Sequence, residues 1–546
     1  MAKFNKKSTS TKPTEVNEMG ERAYKMSSKE ELVATVLTSF LQDSYYESEG
    51  TQTDRIKQAI KEIDDPYFVA QLALYARKEA NMRSVSHLLA GELTDYVSQQ
   101  EWADRFFEKV VVRPDDISEI VSYLYKTKGK KFRNSMKRGF SKRISRFDAY
   151  QLDKYKMKNR DVSMVDLINL FHPKPKQSNA KAFEAIINGE DLSPLYESKI
   201  WEKEVTKAGK VGETKKDRDE SVDSAMTDVI DTNVDNMPVF NLIRNLRNII
   251  IRVPDKVDDV VSILKNDQKI WKSKLFPYRF AMAYEEVSKL GSSHTTSRNK
   301  VTFEDERPSE LTKDGIGKVL DALEYAMEVS CKNIPKLQGR TAILIDHSGS
   351  MRGDSGGSSL TSAFSKVNSA TIANLFGTML MQYQDNVFFG LFGDRLIIVD
   401  DINRKNGILK NSKMINDKGS KCGESSENGL FEFFEDVVKN KTQVDNVFVF
   451  SDQVIGRNGW YGIHSSTRSS ARESGSFDDL FRSFRKINPY ANVVTVDIRN
   501  SGGKTVFNKN LGVTQMSGWS NKIFDLLDSF STGYKDLIKE IEKIKI

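Results

Sequence analysis

The apolar periodicity of this 546-residue chain changes character once, near Gly339, and that change limits the folds open to it. From about Lys29 to Ile334, apolar residues recur at three- and four-residue spacing, as in ELVATVLTSFL, DPYFVAQLALYARKEA, DISEIVSYLYK and FNLIRNLRNIIIRV. That spacing belongs to helices that each bury one face. Short helices in succession, with no strand signal between them, predict an all-α, HEAT-like helical-repeat body in which each pair covers its neighbour's apolar face. No strict repeat period is present. Within this stretch Lys203–Asn236 has no aromatic residue and is dense in charge, so it is read as a long polar insertion with a short helix near DSAMTDVI.

After Gly339 the runs RTAILIDHS, NVFFGLFGDRLIIVD, VDNVFVFSD and NVVTVDIRN alternate with helical stretches such as NGLFEFFEDVV, FDDLFRSFRKI and NKIFDLLDSF. Strand–helix alternation predicts a parallel, doubly wound, Rossmann-like α/β domain, whose functional crevice lies at the carboxyl ends of the strands. The chain therefore divides into a disordered tail (1–28), a helical body (29–335) and an α/β domain (336–546). The tail carries lysines but no apolar run of the kind a secretory leader needs. No stretch reaches the roughly 18 apolar residues of a membrane span. Cys331 and Cys422, the only cysteines, can build neither a disulfide framework nor a zinc site. A soluble, cytoplasmic protein is expected.

The run AILID ends in Asp346, and Asp346, Ser348 and Ser350 follow in Asp-x-Ser-x-Ser spacing, which lets one tight loop aim three oxygens at a point. VFVFSD likewise ends in a carboxylate, Asp452, and between the two a GES sequence supplies the hydroxyl of Ser425, with Ser426 beside it. Few carboxylates, several hydroxyls and room for water suit Mg²⁺. The pattern resembles the metal-ion-dependent adhesion site of von Willebrand A domains. The bland alternative is that Asp346 and Ser348 only cap the next helix.

Basic charge is concentrated elsewhere. Lys126 to Arg160 holds 14 Lys or Arg against two Asp, whereas the whole chain carries +7, so the remainder is net acidic. Such a cluster is the electrostatic footprint of phosphate binding. On a helix, Arg138, Lys142 and Arg146 share one face while Met136, Phe140, Ile144 and Phe147 gather opposite. Candidate RNA contacts are Lys128, Lys130, Lys131, Arg133, Lys137, Arg138, Lys142, Arg143, Arg146, Lys154 and Lys158, the alternative being a solvated helix face. His172, in LFHPKP, ends a short helix that Ser163 and Asp166 are placed to cap, and Pro173 turns the chain out of helical geometry there. No phosphate loop, zinc motif or nucleophile elbow is present, and His347 and His464 lack an evident nucleophilic partner, so the chain is read as a binder rather than an enzyme.

The blocks NMRSVSHLLAGEL, LDKYKMKNRDVSMVDLINLFHPKP, FNLIRNLRNI, KLFPYRFAMAY, GRTAILIDHSGSM and MSGWSNKIFDLL occur in an order that resembles the Ro autoantigen (TROVE) family from about Val33 to Leu537. The resemblance implies a monomeric ring of helical repeats closed by a von Willebrand A domain. It implies a ribonucleoprotein in which misfolded non-coding RNAs insert 3′ single-stranded ends into the ring and Y-like RNAs bind the basic outside. Lys154, Lys158 and His172 match RNA-contacting positions of that family, and an exoribonuclease or another protein is a candidate partner of the A domain. Two other classes compete: a Mg²⁺-dependent protein-binding adaptor, and a metal-dependent nuclease. The second would need further carboxylates and a water-activating base, which are not visible near Asp346.

Overall fold

A computed structural model of the protein describes residues 13, 15–17, 19–38, 49–97, 100–129, 132–157, 160–197, 199–233, 237–275, 277–291, 310–331, 334, 336–353, 368–457, 476–499, 504–517 and 537–546. The chain forms two compact units. One comprises residues 1–89 and 333–545, the other residues 90–332 with Ile546. The division therefore differs from the one read along the sequence, because the first 89 residues associate with the α/β domain. Among the described residues no helix is long and apolar enough to cross a membrane.

Strands β1 (Glu15–Val16) and β2 (Arg22–Lys25) precede helices α1 (Ser28–Thr38), α2 (Glu49–Ile63), α3 (Pro66–Lys78) and α4 (Ser84–Leu93). The second unit continues through α5 (Ala103–Val110), α6 (Pro114–Thr127), α7 (Asn134–Ile144), α8 (Ala149–Lys154), α9 (Met164–Phe171) and α10 (Ala180–Asn188). It ends in α11 (Trp201–Ala208), α12 (Lys215–Asn233), α13 (Val239–Arg252), α14 (Val257–Leu264), α15 (Asp267–Ser273), α16 (Pro277–Ser288) and α17 (Glu310–Ser330). The expected succession of short helices is present. Local chemistry explains several starts: Asp65 accepts the Phe68 amide with Pro66 in the first turn of α3, and Ser163 and Asp166 form a reciprocal capping box on α9.

Two expectations are corrected. The polar stretch Lys203–Asn236 is mostly helical: α11 takes it to Ala208 and α12 covers Lys215–Asn233, with turns at 209–214 between them, and residues 234–236 lie outside the described ones. Met226, Val229 and Ile230 of α12 are buried, and Arg252 of α13 pairs with Asp219 and Asp223 of α12. Part of the supposed disordered tail is ordered as well. β2 pairs antiparallel with β8 (Lys504–Thr505), Asn17 donates to the Ile455 carbonyl at 2.7 Å, and the Tyr24 hydroxyl donates to Asp478 at 2.6 Å. Burial, with Asp478 adding to it, pushes the Tyr24 phenol up to about 12.

The α/β part contains β3 (Arg340–Asp346), α18 (Gly349–Arg352), α19 (Ser369–Gln382), β4 (Asn386–Phe392), β5 (Leu396–Ile398), α20 (Ile408–Gly419), α21 (Asn428–Asn440) and β6 (Asn446–Ser451). A helix at Phe477–Ile487, β7 (Asn492–Asp497), β8, β9 (Val513–Ser517) and a helix at Leu537–Glu542 complete it. Six strands form one sheet in the order β5-β4-β3-β6-β7-β9, all parallel except the antiparallel edge strand β5. The predicted NKIFDLLDSF helix lies outside the described residues. Every residue of β6, and all of β3 after Arg340, is buried, as a parallel strand covered on both faces requires. Gly377 lets α19 close onto the sheet, since a Cβ there would stand 2.4 Å from the Ile345 side chain.

The other face of the sheet is sealed by phenylalanines. Phe434 makes edge contacts with Phe433, Phe477, Phe481 and Phe484 at centroid distances of 5.2, 5.5, 5.6 and 5.1 Å, and is itself fully buried. Truncating such a residue removes the transfer energy of the ring and leaves a cavity. Phe434→Ala is therefore expected to cost about 3–5 kcal/mol, read by chemical denaturation as a lower midpoint of the α/β transition. A change below about 1 kcal/mol would show that this cluster is not the core of the unit.

Candidate functional site

The sequence singles out two groups of residues. The first stands at the carboxyl end of the sheet. β3 and β6 are parallel neighbours in register Ile345 against Phe450, so Asp346, which ends β3, and Asp452, the residue just after β6, emerge at the same edge of the sheet, each with no exposed surface. Asp346 accepts from the Ser348 amide at 2.8 Å and from the Ser451 hydroxyl at 2.6 Å. The hydroxyls of Ser348 and Ser350 lie 3.2 Å apart, both buried. Asp452 accepts from the Val454 amide at 3.2 Å, while its Oδ2 is buried with no hydrogen-bond partner.

Two buried carboxyls so close cannot both be ionised cheaply. Burial first, and the neighbouring Asp452 next, raise the Asp346 carboxyl well above the usual carboxylate range, and burial raises Asp452 as well. His347, next to Asp346 in sequence, is turned away. Its Nε2 lies 2.8 Å from Asn374 Oδ1 and its Nδ1 3.0 Å from the Arg352 guanidinium. Burial pulls the imidazole down to about 3, so it stays neutral and supports the loop mechanically.

Ser425 does not join this group in the way the motif suggested. It is exposed and its amide donates to Asp394 at 3.1 Å, while the buried Ser426 hydroxyl donates to the same carboxylate at 2.9 Å. The buried residue that faces the loop from this segment is Glu427. Its Oε2 accepts from the Gly456 amide at 2.9 Å, and its carboxyl is raised by burial and then by Asp346 and Asp452, against a hydrogen bond with Ser348. Sequence reasoning missed Glu427. The available signal was an acid directly before the apolar run NGLFEFF. Among the described residues no group of three or more His, Cys, Asp or Glu side chains stands close enough to hold a metal ion, so ligation here would rest on two carboxylates, hydroxyls and water.

The second site is the basic segment, which folds into α7 and the turns around it. Met136, Phe140, Ile144 and Phe147 are buried as expected, and Lys137, Arg138, Lys142 and Arg146 are exposed. α7 packs closely on α5: a Cβ on Gly139 would stand 2.5 Å from the Asp104 carbonyl. That approach puts acids beside the bases, pairing Lys142 with Asp104 at 2.9 Å and Arg146 with Glu108 at 2.5 Å. Burial alone would raise Asp104, but the Lys142 ammonium holds it below its ordinary value. The uncompensated charge read from the sequence is thus partly offset from a neighbouring helix.

Other candidates are engaged by neighbouring groups. Lys128 is anchored to Glu92 and Asp95, Arg133 donates to the Thr94 carbonyl at 3.4 Å, and Arg143 donates to the Val112 carbonyl and lies over the Phe147 ring. Lys154 sits over Tyr150, 5.6 Å from the ring centroid. Lys130, Lys131 and Lys158 lie outside the described residues. His172 ends α9 in a left-handed conformation, φ +45°, which displays its exposed ring, and the Ser141 hydroxyl of α7 donates to its carbonyl at 3.5 Å. The fold therefore brings His172 to the basic helix across 31 residues of sequence. Both cysteines are buried thiols pushed up to about 12, which removes them from thiolate chemistry.

Comparison with known proteins is consistent with this geometry. The sequence matches the model of the TROVE domain family over residues 7–227. No curated protein sequence matches the chain. Among solved structures, the Ro (RSR) protein of Deinococcus radiodurans is similar in fold, with a TM-score of 0.58 at 14% identity, covering 93% of this chain and 99% of that one. The chain thus carries a match to the TROVE domain over residues 7–227 and has a fold similar to that of a Ro protein along 93% of its length.

Proposed function

We propose that this protein is a Ro-type, non-catalytic RNA binder that grips RNA phosphates on the surface formed by α7 and His172. The observation that carries the reading is the juxtaposition of the exposed Arg138, Lys142 and Arg146 row with the exposed His172 at the end of α9. The ion pairs on this surface do not oppose it. Lys142 and Arg146 are each half exposed, and such pairs are worth at most about 1 kcal/mol, little enough for a phosphate to displace. The TROVE-domain match and the Ro-like fold support the finer statement that the ligands are non-coding RNAs, Y-like RNAs on the outside and 3′ single-stranded ends of misfolded RNAs in a ring of helical repeats, with a cytoplasmic role in RNA quality control.

The α/β part is read as a von Willebrand A-type domain (336–546) whose loop binds Mg²⁺. The orphaned, buried Asp452 Oδ2, the raised carboxyl of Asp346 and the paired hydroxyls of Ser348 and Ser350 fit a hard divalent cation. Asp346, Ser348, Ser350 and Asp452 would hold it, with Ser425 a weaker candidate because its side chain is exposed. Bound there, the ion supplies positive charge that offsets the buried carboxylates and an open position for an acidic group of a partner, such as an exoribonuclease. The imidazole of this loop, His347, is engaged by Asn374 and Arg352 and supplies no water-activating base, which favours a binding role over nuclease chemistry.

Reversing Arg138, Lys142 and Arg146 to Glu is expected to weaken binding of a structured RNA and to flatten its salt dependence, by roughly 0.7–0.9 in slope for each phosphate no longer neutralised. The helical circular dichroism should persist because Met136, Phe140 and Ile144 are untouched. Unaltered binding across salt concentrations would make this surface a solvated face and favour the adaptor reading.

For the α/β domain the expected readout is thermal. At a hundredfold excess over its Kd, Mg²⁺ should add about 2.7 kcal/mol to the parent protein and nothing to Asp346→Ala, with RNA affinity unchanged. Without metal, the raised Asp346 and Asp452 carboxyls bind protons more tightly in the folded than in the unfolded state. Stability should therefore fall as pH rises above the usual carboxylate range, and Mg²⁺ should cancel that fall. Metal-dependent RNA cleavage that disappears in Asp346→Ala would replace the binding role with catalysis.

A further inference from the structure

The basic segment shares the second unit with another surface suited to nucleic acid. α13 buries Val239, Leu242, Leu246, Ile249 and Ile250 and turns Phe240, Arg244, Arg247, Asn248 and Ile251 outward. Phe240 is 37% exposed. Two guanidinium groups from different helices stand over its ring, Arg244 of α13 at 5.8 Å and Arg279 of α16 at 5.6 Å from the centroid. α13 itself carries no acidic residue. Its third arginine, Arg252, pairs with Asp219 and Asp223. Arg244, Arg247 and Arg279 are exposed.

We propose that Phe240, Arg244 and Arg279 form a stacking platform for an unpaired base of single-stranded RNA, with the guanidinium groups and Arg247 meeting the flanking phosphates. An aromatic face and guanidinium planes are the surfaces on which splayed-out bases stack, and a duplex, whose bases are already stacked, cannot use them. Phosphate complementarity comes from the same arginines. α7 differs in kind: its own apolar groups, Met136, Phe140 and Ile144, are buried and its charges face outward, so it suits phosphates without reading whether bases are paired. The platform rests on the RNA-binding reading given above, and it locates the discrimination between paired and unpaired RNA in α13 rather than in α7.

The test measures anisotropy of a fluorescein-labelled oligouridine and of a labelled RNA duplex with the full-length chain. Phe240→Ala is expected to weaken the single strand about fivefold to a hundredfold and leave the duplex unchanged. Phe240→Leu should behave like the alanine variant, and Phe240→Tyr should retain parental binding, because stacking needs the ring and not merely apolar area. Phe240 is exposed, so these variants leave the buried face of α13 intact, and unchanged circular dichroism verifies this. Parental oligouridine affinity in Phe240→Ala, or equal weakening for strand and duplex, would overturn the platform while leaving the α7 surface standing. Failure of the parent chain to bind either RNA would overturn both.

Discussion

Parallel pairing of β3 with β6 is the constraint on which the α/β domain depends. Both strands are buried, so their backbone groups must be satisfied by each other and by β4 and β7, and their order and register are fixed. Once register is fixed, Asp346 and Asp452 have no choice but to leave the sheet as neighbours. Burying two carboxyls together is unfavourable, and Ser451, Ser348 and the Val454 amide relieve it only in part. The sheet therefore builds a candidate cation site as a consequence of its topology, with the unsatisfied Asp452 Oδ2 as the remaining demand.

In the helical unit the comparable constraint is the close approach of α7 to α5 at Gly139. It seats Phe140 against Phe107 and Phe171, at 5.6 and 5.3 Å between ring centroids, and so ties α5, α7 and α9 into one apolar cluster. With the apolar side of α7 committed inward, its basic side must face out. The position of His172 follows from the same packing, because α9 docks on α7 and ends in a left-handed residue beside Ser141. The exposed cations and imidazole of this surface are thus a by-product of core packing.

Much of this was legible in the sequence, for reasons that concern local pattern. The change of period near Gly339, the strand-terminal aspartates, the two faces of α7 and the Ser163–Asp166 capping box all depend on residues within a few positions of one another. What could not be read depends on distant partners. Asp104 and Glu108 offset the charge of α7 from another helix, and β2 finds β8 across nearly the whole chain. α12 reads as mostly loop because its composition is so polar, yet a few buried groups and Arg252 hold it as a helix. Glu427 escaped because a motif of hydroxyls directs attention to Ser425, while burial selects the acid two residues later.

The proposal that matters most is that one surface, made by α7 and the end of α9, meets RNA. Ultraviolet crosslinking of the full-length chain to a structured RNA, followed by mass spectrometry of the adducts, reads that meeting directly. Adducts are expected on peptides spanning residues 134–147 and 164–176, and they should diminish as salt is raised, since phosphate contacts dominate the affinity. Adducts confined to other peptides, with these two unmodified at low salt, would contradict it.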